Sequence, residues 1–214
     1  MITEHPPAIT PARERQYETI RWQIERVAGV PVRARRYPNV VGFDGAPAVV
    51  LTGSFAPWSV HEPAALSRLG NALRRYEGPV LGICAGMQLQ TMFAGGVIAS
   101  RARPEVGFGR IEIIDSGGLL AGLGKTAVVY KHHADEVVAL PADFVVLARG
   151  PACEVEAIAA PRRGWWGTQF HPECFSEEHP DGATVLSNFF SLAGLSPRAR
   201  GAESAGLAVG AGDD

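Results

Sequence analysis

The chain has 214 residues, 46% hydrophobic and 20% charged, with a formal net charge of −2. That length suits one sizeable α/β domain and is short for two, and the charge balance gives no electrostatic reason to expect nucleic acid or an anionic membrane as a partner. No run approaches the roughly 18 consecutive apolar residues of a membrane span, and the first residues, with Pro6, Pro7 and Pro11, hold no apolar signal segment. Three widely spaced cysteines argue against a disulfide framework and for a reducing cytoplasm, where a thiol stays available for chemistry.

Residues 1–13 read as a flexible leader. The segment 197–214, rich in Ala and Gly and without aromatics, reads as a disordered tail. Residues 14–196 are left as one folded domain. Tyr17, Ile20, Ile24 and Val27 recur at helical spacing, and Gly29 follows as a stop. Pro31 to Tyr37 is a short candidate strand, and Ala48 to Leu51 is a buried one. Pro63 to Tyr76 reads as a helix. Pro79 to Ile83 reads as a buried strand that runs into Cys84, with a helix over 85–93. After Gly107 the pattern changes to strands at 109–115, 127–131, 143–149, 154–160 and 165–170, closed by a helix over 181–192. Strand–helix alternation followed by successive strands predicts a three-layer α/β domain. Its central sheet is mostly parallel, with helices on both faces and an antiparallel extension.

Gly82-Ile83-Cys84-Ala85-Gly86 stands where a buried strand turns into a helix, the layout of a nucleophile elbow with sulfur in place of oxygen. A tight turn there holds the nucleophile in a strained conformation at the carboxyl edge of the sheet, where open α/β sheets bind ligands. The helix beginning beyond it favours a thiolate, and the Ala85 N–H is placed to hold an oxyanion. A buried structural cysteine is the commoner fate of a cysteine after an apolar strand, so the elbow needs a base to be decisive. Gly167-Thr168-Gln169-Phe170-His171-Pro172-Glu173 supplies one, with His171 at a strand end and Glu173 placed to hold its tautomer. His171, Cys174 and His179 also cluster, but their spacing fits no common zinc pattern. Gly124-Lys125-Thr126 lacks the first glycine of a phosphate loop, because position 119 is Leu.

Gly-Ile-Cys-Ala-Gly-Met-Gln at 82–88 and Gly-Thr-Gln-Phe-His-Pro-Glu at 167–173 resemble the two signature motifs of class I glutamine amidotransferases of the triad type. The resemblance spans about residues 15–195. Lys131 to Val137 and Leu140 to Ala148 look most like the glutaminase part of GMP synthase. It implies a flavodoxin-like domain in which Cys84, His171 and Glu173 hydrolyse the side-chain amide of L-glutamine, without cofactor or metal, and pass ammonia to a partner synthase or ligase. Gln88, Gly86 and His133 would then bind substrate, Ala85 with Gly53 or Ser54 would form the oxyanion hole, and Cys153 would be structural.

Three features depart from that pattern. The family's opening strand falls on Thr3 to Thr10, whose two prolines make it missing or irregular. The oxyanion loop, Thr52 to Ser59, is longer than usual, and its Phe55, Pro57 and Trp58 are candidates either for a partner interface or for ordinary packing. No segment resembles an ATP-pyrophosphatase domain, so the chain alone is expected not to make GMP. The competing readings are a stand-alone hydrolase of γ-glutamyl conjugates and a regulatory subunit with a vestigial site.

Overall fold

The computed structural model describes residues 2–3, 10–43 and 45–195. Four helices and nine strands among them account for the sheet and its two covered faces. In chain order these are β1 (Ile2–Thr3), α1 (Pro11–Ala28), β2 (Arg35–Arg36), β3 (Val49–Leu51), α2 (Pro63–Arg75), β4 (Val80–Ile83) and α3 (Ala85–Phe93). They continue with β5 (Val97–Ile113), β6 (Thr126–Ala139), β7 (Val145–Arg149), β8 (Ala157–Ala160), β9 (Trp165–Thr168) and α4 (Asp181–Leu192).

The strands form one sheet in the order β2-β1-β3-β4-β9-β8-β7-β5-β6. From β2 to β9 the neighbours are parallel, and from β9 to β6 they are antiparallel. Side chains alternate across the inner strands, as the two-residue period of a strand requires. Val50, Leu81, Ile83, Ala157 and Ala159 face a core with Ile24 of α1 and Val185, Leu186, Phe189 and Phe190 of α4. Val49, Leu51, Val80, Ile158 and Ala160 face a second core with Leu69 and Leu73 of α2 and Met87 of α3. The helices therefore cover both faces, and each buried aliphatic side chain contributes about 1.5–3 kcal/mol.

The helix termini follow from local chemistry. The Thr10 side chain caps α1 by accepting from the Arg13 N–H at 3.2 Å, Pro11 occupies its first turn, and Gly29 ends it at φ 70°. The helix thus begins three residues before the boundary expected for the leader, and Ile2–Thr3 pairs between β2 and β3. A strand is present at the place of the family's opening strand, over Ile2–Thr3 among the described residues. Residues 4–9 and the expected tail, 197–214, lie outside the described residues.

The largest departure from the pattern of the sequence is β5. Local hydrophobicity predicts a strand from Gly109, but β5 starts at Val97 and pairs with β6 along a long hairpin. Arg101, Arg103, Pro104 and Glu105 interrupt the apolar pattern there, and the ladder shifts register between Ser100 and Glu105. The pairing partner, rather than local hydrophobicity, makes that segment a strand. Similarly, β6 runs on to Ala139, eight residues past its expected end at Lys131.

Candidate active site

Cys84 ends β4 and opens α3 with φ 51° and ψ −109°. It is the one non-glycine residue with positive φ among the described residues. Such a conformation costs about 1–3 kcal/mol and persists only where the surroundings impose it. The flanking glycines are part of that imposition. A Cβ on Gly86 would run into the carbonyl oxygen of Leu51, and one on Gly82 would lie 2.6 Å from the Met87 nitrogen. Gly86 thus serves close packing of α3 on β3, and the structure gives no direct sign of the substrate contact expected of it. Since α3 begins at Ala85, the Ala85 N–H is left out of the helical ladder beside the sulfur.

β4 and β9 are paired neighbours, with Ile83 opposite Thr168. Their carboxyl ends bring the two motifs together. His171 lies just past β9, and its N–H donates to the Tyr130 carbonyl on β6 at 2.7 Å. Its Nδ1 meets Glu173 Oε1 at 2.8 Å, and the Glu173 side chain is 1% exposed. This fixes the tautomer with Nδ1–H toward the carboxylate and leaves Nε2 for the sulfur. Burial disfavours the imidazolium, but the Glu173 charge, the nearby Cys84 and the hydrogen bond to Glu173 outweigh it. The ring's pKa is held well above its usual value.

Gly53, just past β3, completes the cluster. A Cβ there would lie 2.7 Å from His171 Cε1 and 3.5 Å from Cys84 Cβ. The glycine is required by this close approach. Ser54 is turned into its own loop, where its hydroxyl bonds the Ala56 carbonyl at 2.8 Å and His61 Nε2 at 3.1 Å.

The family model described as "Glutamine amidotransferase class-I" matches residues 43–193. The chain belongs to the class I glutamine amidotransferases. It is 35% identical over 182 residues to a glutamine-hydrolyzing GMP synthase subunit of Pyrococcus furiosus, covering 84% of this chain and 94% of that one. With the protein of the same description from Methanopyrus kandleri it shares 37% over 166 residues, or 70% and 87% of the two chains. A crystal structure from Thermoplasma acidophilum, described as that of a GMP synthase subunit, superposes with a TM-score of 0.75 at 26% identity, covering 90% of this chain and 93% of that one. A glutamine amidotransferase from Thermotoga maritima shares the fold, with a TM-score of 0.70 at 14% identity over 90% and 96% of the two chains.

The other two thiols of this amidotransferase are unsuited to nucleophilic work. Burial pushes Cys153 up to about 12, and its thiol donates to the Val155 carbonyl at 3.4 Å. Burial and the nearby Glu173 push Cys174 to about 12 as well. Low-lying thiolate is what cysteine chemistry needs, so both are structural by environment.

Two expected substrate contacts look different in the structure. Gln88 is 2% exposed, and both its N–H groups are occupied, by the Asp135 carbonyl at 2.8 Å and Gln169 Oε1 at 3.2 Å. Its Oε1 accepts from Trp58 Nε1 at 3.2 Å, so Gln88 can accept one further hydrogen bond but donate none. The His133 side chain is 1% exposed and faces Glu105, with Nε2 3.4 Å from Oε2. It is the neighbouring His132 carbonyl that meets Cys84 Sγ, at 3.8 Å. The alternation of β6 decides this, because Ala127, Val129, Lys131 and His133 share the inward face. The structure places the His133 side chain in a buried polar cluster with Glu105.

No motif in the sequence signals that cluster. Lys131 Nζ bridges Glu156 and Glu105, the latter at 3.2 Å, and burial pushes Glu156 up to about 7 despite its partner. Donor atoms of His133, Cys153 and Glu156 lie within 4.8 Å of one another, as do those of His171, Glu173 and Cys174. Lys131 already supplies the positive charge of the first group, and in the second His171 and Glu173 are hydrogen-bonded to each other. His179, the third residue of the candidate zinc pattern, stacks on Phe108 at 4.0 Å between ring centroids. In the loop before α2, Phe55 lies under the Arg13 guanidinium at 3.7 Å and edge-on to Tyr17, an ordinary packing role. Trp58 turns inward and lines two cavities. One includes Gly53 and Ala85, and a more open one includes Ser100 and Asp135. Among the described residues no helix is long and apolar enough to cross a membrane.

Proposed function

We propose that this chain is the glutamine-hydrolysing component of a two-subunit GMP synthase, with Cys84, His171 and Glu173 as its catalytic triad. The observation that carries the reading is the strained Cys84 beside a histidine whose Nδ1 is 2.8 Å from a buried glutamate. The description of its relatives as glutamine-hydrolyzing GMP synthase subunits supports the choice of partner.

The chemistry follows from these positions. His171 Nε2 takes the thiol proton, and the raised proton affinity of the ring favours the thiolate–imidazolium pair. Sulfur attacks the amide carbon of glutamine, and the carbonyl electrons move onto oxygen. The N–H groups of Ala85 and Gly53 hold that oxyanion, each contributing about 10²–10³ in rate. Gly53 is assigned in preference to Ser54 because it abuts both Cys84 and His171. The tetrahedral species collapses, the C–N bond breaks, and His171 delivers its proton to the departing ammonia. A water, deprotonated by the same imidazole, cleaves the thioester to glutamate and restores the thiol. Gln88 accepts from the substrate through its remaining lone pair. The setting is the cytoplasm, where the three cysteines, all free, stay reduced.

The test is glutamine hydrolysis and GMP formation by the purified chain, on its own and with the synthase subunit of the same host. GMP made from glutamine only when both are present supports the reading. Full activity of the chain alone on a γ-glutamyl conjugate, with little on glutamine, would replace it with the stand-alone hydrolase.

A further inference from the structure

Behind the nucleophile runs a hydrogen-bond chain that the triad does not use. It starts at the loop residue Trp58, whose indole N–H can only donate, to Gln88 Oε1 at 3.2 Å. The Asp135 carbonyl can only accept, and it takes Gln88 Nε2 at 2.8 Å. These two partners allow a single orientation of the Gln88 amide. The second hydrogen on Gln88 Nε2 goes to Gln169 Oε1 at 3.2 Å, which orients the Gln169 amide in turn. Gln169 Nε2 is then left facing Cys84 Sγ at 3.6 Å. Gln169 is fully buried.

Every donor in this chain points the same way, and the last one ends on sulfur. A neutral thiol is a weak acceptor, whereas a thiolate takes a charge-assisted hydrogen bond of roughly twice the strength. Amides linked head to tail in a dry interior also polarise one another. The chain is therefore matched to the anionic form of the nucleophile.

We propose that Gln169 is a further catalytic residue, the donor that holds the Cys84 thiolate, and that Trp58 is a positioning residue acting on it through Gln88. This rests on Cys84 being the nucleophile. It makes the 54–60 loop part of the nucleophile's support, since moving the Trp58 ring removes one of the two contacts that fix the Gln88 amide and loosens the orientation of Gln169.

The experiment is alkylation of Cys84 by iodoacetamide in the full chain without glutamine, followed by peptide mass spectrometry from about pH 6 to about pH 9. Wild type is compared with Gln169→Met, Trp58→Phe and the double variant. Trp58→Phe keeps an aromatic ring in the loop and removes the indole N–H donor along with some of the ring's volume. Gln169→Met is expected to slow alkylation about tenfold at neutral pH and to move the rate–pH profile upward. Trp58→Phe should move it the same way by a smaller factor, about two- to threefold, and the double variant should match Gln169→Met alone, as members of one chain do. Superposable profiles for wild type and Gln169→Met overturn the proposal, as does full additivity of the two substitutions. If Gln169→Met does not fold, as judged by circular dichroism, Trp58→Phe decides alone, and an unchanged profile overturns the proposal. A Cys84→Ala variant separates the two levels. Glutamine hydrolysis retained without Cys84 removes the nucleophile reading itself, whereas unchanged alkylation in a Cys84-dependent enzyme removes only the role of Gln169.

Discussion

The backbone N–H of Cys84 donates to the Thr168 carbonyl at 2.7 Å. The strand that ends at Cys84 and the strand that leads to His171 are thus bonded to each other at the point where both leave the sheet. The relative placement of Cys84 and His171 is set by this ladder contact, and side-chain rotamers only finish it. Because rigid elements hold both groups, small backbone insults near the junction should reach the chemistry directly.

Labelling discriminates among the three thiols. A diazo-ketone analogue of glutamine should form one adduct, on Cys84, and none on Cys153 or Cys174, whose thiols are pushed to about 12. Cys84→Ala should abolish both the adduct and glutamine hydrolysis. Intact-mass and peptide mass spectrometry read the result.

Glu173→Gln keeps a partner for the ring but removes its charge. Glutamine hydrolysis should fall about 10²–10⁴-fold, and His171 should titrate at lower pH in NMR. The sign for stability follows from the raised folded pKa of His171. Its contribution is fully present below the unfolded value of about 6.5 and fades as pH rises through the higher folded value. The stability gap between wild type and variant should therefore be widest in mild acid and narrow at high pH, as read by urea melts.

Strain at Cys84 predicts a difference between two variants that both lose the thiol. Glycine adopts φ 51° freely and alanine does not. Cys84→Gly should be more stable than Cys84→Ala by about 1 kcal/mol, measured by denaturant midpoint.

Gly53→Ala and Gly86→Ala should separate chemistry from folding. A methyl on Gly53 meets His171 Cε1 at 2.7 Å and displaces the base, so turnover should fall about 10²-fold with a small change in melting temperature. A methyl on Gly86 is driven into the Leu51 carbonyl between α3 and β3, which should cost about 1–3 kcal/mol in stability.

Lys131→Met removes the cation from a fully buried carboxylate. Stability should drop about 3–5 kcal/mol, and Lys131→Met with Glu156→Leu should recover much of it. Glu156 left alone holds its proton more tightly folded than unfolded. The folded state then binds more protons, and the single variant should be more stable in mild acid than above neutral pH. Thermal melts at several pH values check this.

Much of the site was legible because its chemistry is written in contiguous residues. The small residues around Cys84 require a tight strand-to-helix turn, and His171 and Glu173 are close enough in sequence to meet whatever the rest of the chain does. The end of α1 was legible for a similar reason, since Gly29 acts within one turn, whereas its Thr10–Pro11 start was not, because residues 1–13 read as a leader. Ile2–Thr3 and the first half of β5 were not. A two-residue strand has no periodicity to read, and Val97 to Val106 is a strand only because β6 lies beside it.

The sequence by itself determined that a cysteine, a histidine and a carboxylate were available at turns suited to them. The tertiary structure alone decided which polar groups face one another. The inward face of β6 turns His133 toward Glu105, and the packing of α3 against the 54–60 loop closes Gln88 between Trp58, Asp135 and Gln169. Those contacts join residues distant in sequence, and their hydrogen bonds are fixed by burial, where each donor must find the acceptor that the fold brings to it.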